Sequence, residues 1–312
     1  MEVLTQMTNI SRQYQRIAVA LGTFDGVHIG HQRIINRAIE YAKEKNGTSV
    51  VFTFSNHPLS VVAPERCPLQ IITSEYKEKI LGRMGVDVLL SIPFTPQFLK
   101  LSPEAFLQLL QDNLQPDYIV VGPNYSFGYK SAGTPELLKT AGKDGHFQVE
   151  IHPPVYAKKN LVSSTLIRQL AADGDVFQAA GLLGRPLRIQ GNVVSGNQRG
   201  GGLLGYPTAN LAIAPGMVVP ADGVYAVAVF YDQHSFNGVA NIGSNPTFAG
   251  TERRIEVHLL NFAGNLYGST ISLDFFARLR GEKTFSSAAA LKQQIHNDVA
   301  AARQILGKSK YS

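Results

Sequence analysis

The residues best placed for chemistry fall in three stretches. The first is Leu21-Gly22-Thr23-Phe24-Asp25-Gly26-Val27-His28-Ile29-Gly30-His31. His28 and His31 are spaced to face one ligand, and imidazolium donors suit the oxygens of a triphosphate. Gly22, Gly26 and Gly30 allow the close backbone approach and unusual dihedrals that phosphate binding needs. In the second, Gly205-Tyr206-Pro207-Thr208-Ala209-Asn210-Leu211, Thr208 and Asn210 alternate with apolar neighbours. A hydroxyl and an amide therefore emerge from one face, where they can coordinate magnesium and phosphate. In the third, Ile255 to Phe262, Glu256 and His258 share a face opposite Val257.

The elements around the first stretch follow from hydrophobic periodicity. Ile17 to Leu21 reads as a buried strand, and Ile34, Ile35, Ala38, Ile39 and Ala42 fall on one face of a following helix. Ser49 to Phe54 is a second strand. Such a unit puts its loop at the carboxyl edge of a parallel sheet, with the helix N-terminus aimed at the ligand. The loop is neither a Walker loop nor a dinucleotide fingerprint. His57, in the turn Ser55-Asn56-His57-Pro58, should project from the same edge.

Further along, Thr73 to Gly85 is helical, Val86 to Ile92 a third strand, and Ser102-Pro103-Glu104 opens another helix. Asp117 to Val121 is a fourth strand, ending in the loop Gly122 to Gly128 that carries Asn124. Phe147 to Ile151 is a fifth. Alternation of this kind predicts a parallel sheet covered on both faces. Ser163 or Ser164 can cap the next helix, whose start, with Thr165 and with Arg168 one turn along, suits an oxyanion. A last helix, Val176 to Leu183, ends at Gly184-Arg185-Pro186. Short alternating segments then replace it: Leu187 to Val194, Val224 to Tyr231, Ile255 to Leu260 and Thr270 to Leu279. They predict a small antiparallel barrel, with a boundary that gives domains 1–183 and 184–312. A C-terminal helix capped by Ser286 or Ser287 and lined by Ala290, Leu291, Ile295 and Val299 closes the chain.

With 312 residues, 44% hydrophobic and 17% charged, the chain suits two soluble globular domains. A net charge of +6 fits an anionic partner, but no dense basic block interleaved with aromatics points to nucleic acid. Cys67 is the only cysteine, which excludes an internal disulfide and a cysteine-based metal site. Neither a membrane span nor a signal peptide is legible, so the expected location is cytoplasmic.

His28-Ile29-Gly30-His31 resembles the His-x-Gly-His signature of the nucleotidyltransferase superfamily. The wider string Gly-Thr-Phe-Asp-Gly-Val-His-Ile-Gly-His resembles the first motif of the prokaryotic bifunctional riboflavin kinase/FMN adenylyltransferases. Gly122 to Gly128 and Ser163 to Arg168 are similar to later motifs of that family. Pro207-Thr208-Ala209-Asn210 and Glu256-Val257-His258 resemble its riboflavin kinase motifs. The resemblance implies a Rossmann-like nucleotidyltransferase domain, then a riboflavin kinase barrel with a C-terminal helix. It implies His28, His31 and Glu256 as catalytic residues, Glu256 as general base, and Thr208 as metal ligand assisted by Asn210. Gly22, Thr23, Phe24, Asp25, Gly26, His57, Asn124, Ser164, Thr165, Arg168 and Arg280 become nucleotide or flavin contacts. The substrates would be ATP, riboflavin and FMN with Mg2+, and no nucleic acid.

Some departures from the pattern bear on function. Leu59 and Ser60 replace an acidic residue, Ser126 stands where arginine is frequent, and Asn261 replaces an aspartate. Arg199-Gly200-Gly201-Gly202 departs from the usual Arg-Gly-Arg-x-x-Gly of the phosphate-covering flap. An adenylyltransferase that has lost its kinase is therefore one alternative. A non-catalytic flavin- or RNA-binding regulator is another.

Overall fold

The computed structural model of the chain describes residues 1–195, 208–247 and 250–307, with the side chains of 244–247 and 250–252 excepted. The altered flap, 196–205, and Gly205 to Pro207 lie outside the described residues. The chain forms two compact units, Met1–Ser163 and Ser164–Ser312.

The first unit is a six-stranded parallel sheet. Its strands are β1 (Glu2–Leu4), β2 (Ile17–Leu21), β3 (Thr48–Phe54), β4 (Val88–Ile92), β5 (Tyr118–Val121) and β6 (Gln148–Ile151), in the order β1-β4-β3-β2-β5-β6. Five match the alternating pattern closely. β1 was not expected, because its short, half-exposed run carries no periodicity and exists through parallel pairing of Glu2, Val3 and Leu4 with Val88, Leu89 and Leu90.

The helices begin and end where side-chain chemistry allows. α1 (Ile29–Lys45) buries Ile34, Ile35, Ala38, Ile39 and Ala42 and stops at Asn46 in the left-handed region. The short α2 (Leu59–Val62) follows β3. Thr73, Thr95, Ser102 and Thr134 cap α3 (Ser74–Met84), α4 (Pro96–Leu99), α5 (Pro103–Asn113) and α6 (Pro135–Asp144) through side-chain oxygens. Each such cap contributes about 1 kcal/mol. The core runs through the sheet, with Val19, Val50, Val88 and Ile119 inaccessible to solvent.

Strand order decides where this unit can bind. From β2 the chain proceeds through β3 and β4 on one side, then returns to place β5 and β6 on the other. The switch point lies between β2 and β5, and in open α/β sheets ligands bind outside the carboxyl ends at that point. The loop leaving β2 there is Gly22 to His28. β7 (Tyr156–Ala157) and β8 (Asn160–Leu161) form a small hairpin beyond β6.

The second unit begins with α7 (Ser164–Ala172) and α8 (Val176–Leu183), the latter capped by Asp175 and ended by Gly184 at φ 71°. A closed barrel follows. Its strands are β9 (Leu187–Val194), β10 (Ala209–Ile213), β11 (Gly223–Tyr231), β12 (His234–Thr247), β13 (Gly250–Leu259) and β14 (Thr270–Arg280), in the order β10-β13-β12-β11-β14-β9. Residues 243–247, although Gly243, Asn245 and Pro246 carry turn chemistry, continue β12 in register with β13. One expectation is corrected. In α9 (Ala288–Leu306), capped by Ser287, Ala290 is exposed and the packing residues are Val299, Ala302 and Leu306.

β11 is apolar on both faces, which alternation alone would not explain. Tyr225, Val227 and Val229 fill the barrel, while Ala226 packs outward against Ala302 and Leu306 of α9. The barrel wall is stapled by Arg188 and Asp274, direct partners on β9 and β14 with N–O distances of 2.5 and 2.6 Å. The Arg188 guanidinium also lies over Phe230, 4.4 Å from the ring centre. Asp274 is buried, and removing one partner of such a pair costs about 3–5 kcal/mol because the other charge is stranded.

Candidate active sites

The first site is built on the turn between β2 and α1. Phe24 at φ 48° and Val27 at φ 39° occupy a region that side chains, β-branched ones above all, avoid. Gly26 at φ 80° completes the turn, whereas Gly30 is needed for room: a Cβ there would sit 3.2 Å from the His28 ring. The strain is held by polar ties. The Thr23 carbonyl accepts from Thr53 Oγ1 and Lys77 Nζ, each at 3.0 Å, and the buried Asp25 carboxylate accepts from Ile71 N at 3.1 Å.

His28 is the N-cap of α1, its Nδ1 accepting the His31 backbone N–H at 3.1 Å. That bond places the neutral ring's proton on Nε2. His31 stacks on His28 with ring centres 3.5 Å apart, and the buried Phe24 ring meets His31 edge-on at 5.3 Å. Burial, then His28 and Lys77, hold the His31 pKa well below the ordinary imidazole value. The expectation of an imidazolium donor is therefore corrected at His31, whose surroundings favour the neutral ring. The His31 Nδ1 atom is buried without a hydrogen-bond partner, as befits a group waiting for a ligand.

Around this loop the structure gathers several of the expected residues. A small polar pocket is lined by Thr23, Asp25, His57 and Lys77. The His57 ring both faces this pocket and fixes its own turn, Nδ1 accepting from Leu59 N at 3.1 Å. Asn124 is exposed on the loop after β5, across the switch point from the histidines. Phe24 lies beneath His31 and supports it. Ser164, Thr165 and Arg168 open α7, in the other unit.

Lys77 was missed, since one lysine in a helix's first turn carries no signal. Its ammonium is pulled below its usual pKa by burial, with Asp25 opposing. Because Lys77 depresses the His31 pKa, Lys77→Met is expected to raise it, as an NMR titration of the His31 ring would record. An unchanged value would show that burial and His28 alone keep the ring neutral.

The second site lies on the outside of the barrel. Leu211, Ala240, Ile242, Ile255 and Val257 point inward and are buried. Their strand neighbours Asn210, Asn241 and Glu256 point outward. Glu256 pairs directly with Asn210 on β10 and with Asn241 on β12, so the three form one row across adjacent strands. Thr208, Asn241, Glu256 and His258 line a cavity of about 910 Å3 whose other wall includes Phe285, Leu291, Ile295 and Val299. This size suits a small-molecule ligand, with an apolar side and convergent polar groups.

Arg280 is at this cavity too, but its guanidinium is engaged. It holds Asp298 of α9 through Nε and Nη2, at 3.0 Å each to Oδ2, and donates to Gly281 O at 3.0 Å. Asp298, buried and also bonded by Gln294 at 2.8 Å, was not legible as its partner. The pair fixes α9 as a wall of the cavity. Among the described residues no cluster of three His, Cys, Asp or Glu could hold a metal ion. The oxygen donors at hand are Thr208 and Asn210, a set suited to a hard cation that keeps waters and phosphate oxygens in its shell.

The chain's two parts match two protein families. Residues 10–166 match FAD synthetase and residues 183–306 match riboflavin kinase. A bifunctional riboflavin kinase/FMN adenylyltransferase from Pseudomonas fluorescens is 38% identical, with 100% of both chains covered. Those of Buchnera aphidicola and Escherichia coli strain K12 are 35% and 34% identical, covering 96% and 99% of this chain and 97% and 99% of theirs. A crystal structure described as a macrolide-efflux protein from Streptococcus pneumoniae superposes with a TM-score of 0.88 at 34% identity, covering 97% of this chain and 99% of that one. No described helix of the present chain is long and apolar enough to cross a membrane. The two matched regions follow in one order along the full length, and the chain belongs to the bifunctional riboflavin kinase/FMN adenylyltransferase family.

Proposed function

We propose that the chain phosphorylates riboflavin to FMN with ATP and then transfers AMP from a second ATP to FMN, giving FAD and pyrophosphate. The observation that carries this reading is that residues 10–166 match FAD synthetase and residues 183–306 match riboflavin kinase. Both reactions consume ATP, which favours the cytoplasm as their place. A division of labour near residue 184 would assign α7 and α8 to adenylyl transfer, although they fold in the second compact unit.

In adenylyl transfer an oxygen of the FMN phosphate attacks the α-phosphorus of ATP, and the bond to pyrophosphate breaks. The attacking phosphate is already ionised, so no protein nucleophile or covalent intermediate is required. Catalysis rests on positioning and on neutralising the charge that gathers on phosphate oxygens. His28 donates through Nε2 and His31 completes the pair; the family resemblance implies Ser164, Thr165 and Arg168 as nucleotide contacts. Asp25 and Lys77 hold the loop that aims them.

In the kinase reaction Glu256 accepts the proton of the ribityl primary alcohol as its oxygen attacks the γ-phosphorus, with ADP leaving. Thr208, assisted by Asn210, would hold Mg2+ through its hydroxyl, and the ion would offset phosphate charge. The apolar wall from Phe285 to Val299 accepts the flavin ring system.

The deciding experiment incubates the purified protein with riboflavin, ATP and magnesium, and in parallel with FMN and ATP, then separates the flavins. Riboflavin passing through FMN to FAD is the expected result. FAD from FMN with nothing from riboflavin would reduce the protein to an adenylyltransferase, the alternative that the glycine-rich flap keeps open. No product in either mixture would overturn the proposal.

A further inference from the structure

Asn241 stands on the outward, exposed face of β12, between Ala240 and Ile242, both fully buried. Its amide has no hydrogen-bond partner among the described residues, and it lines the cavity. The polar pair at the same cavity, the part-buried Arg280 and the buried Asp298, satisfy one another. Asn241 is instead the direct cross-strand partner of Glu256. Side chains so placed stand on one face with Cβ atoms about 5 Å apart.

We propose that Asn241 is a specificity residue of the kinase site that recognises the polyol chain of the substrate by hydrogen-bonding its hydroxyls. The inference rests on the assignment of this cavity to riboflavin phosphorylation. If Glu256 takes the proton of the terminal alcohol, the carbons behind that alcohol must pass the neighbouring strands, and Asn241 is on one of them. A carboxamide both donates and accepts, which matches secondary hydroxyls that do the same. It is not bonded to Glu256, so orienting the base is not its resting role. A flavin without a polyol lacks these hydrogen bonds with or without the amide, so its binding should not depend on Asn241.

The test uses the full-length protein and one assay, FMN formation. It measures the KM for riboflavin and the inhibition constant of lumiflavin, the same ring system with a methyl in place of the ribityl chain. Asn241→Ala is expected to raise the KM for riboflavin about tenfold, the scale of one or two lost hydrogen bonds, and to leave lumiflavin inhibition within about twofold. Asn241→Val, which favours the strand, should do the same and guards against a folding defect. Equal weakening of both ligands would overturn the proposal, because the residue would then be shaping the ring pocket. A fall in kcat at unchanged KM would also overturn it and make Asn241 a residue acting through Glu256. If the unaltered protein forms no FMN at all, the assignment of the cavity fails, and the inference with it.

Discussion

His28→Ala is expected to lower FAD formation from FMN by about 10²–10³-fold, the cost of one donor to a transition-state oxyanion, and to leave FMN formation from riboflavin within about twofold. His28 has two structural duties that must be separated. Its Nδ1 caps α1, and its ring stacks on His31. Loss of the cap alone costs about 1 kcal/mol and would lower the melting temperature without a comparable effect on rate. His28→Asn separates the two, since asparagine is itself a good N-cap but has no imidazole N–H to offer a phosphate. The asparagine variant should therefore melt near the unaltered protein and still lose FAD formation. Steady-state rates of both reactions and a thermal melt check this. An asparagine variant that recovers activity along with stability would reduce His28 to a helix cap.

The converse holds at the barrel. Glu256→Gln keeps the shape of the side chain and removes its basicity, so FMN formation should fall about 10²–10⁴-fold while FAD formation from supplied FMN stays unchanged. Glu256 lies on the outer face of β13, between Asn210 and Asn241, and takes no part in filling the barrel. The substitution should accordingly cost little stability. Rates measured separately from riboflavin and from FMN decide the matter. If either the His28 or the Glu256 variant lost both activities while still folded, two independent sites would be the wrong description.

Much of the architecture is local in origin and could be read residue by residue. Ile17 to Leu21 and Leu187 to Val194 form strands over the expected residues, and Val176 to Leu183 forms the expected helix between Asp175 and Gly184. Periodicity and capping determine such elements with neighbours only a few residues away. β1 escaped because its stability comes from an edge 84 or more residues distant, at Val88 to Leu90. The continuation of β12 through 243–247 escaped for a related reason. Gly243, Asn245 and Pro246 carry turn chemistry, and pairing with β13 overrides it.

The sequence by itself determined the chemistry available: which hydroxyls, amides, imidazoles and carboxylates lie in each motif, and in what order the motifs run. It also determined the alternation of strands and helices, because these depend on near neighbours. The tertiary structure alone decided what state and company those groups keep. It put the histidine loop at the switch point of the sheet, set the half-buried His31 ring where its pKa is lowered, and engaged Arg280 with Asp298. It also turned Glu256 outward beside Asn241. Charge state, hydrogen-bond partnership and orientation are set by residues far apart in the chain, and no spacing along the chain encodes them.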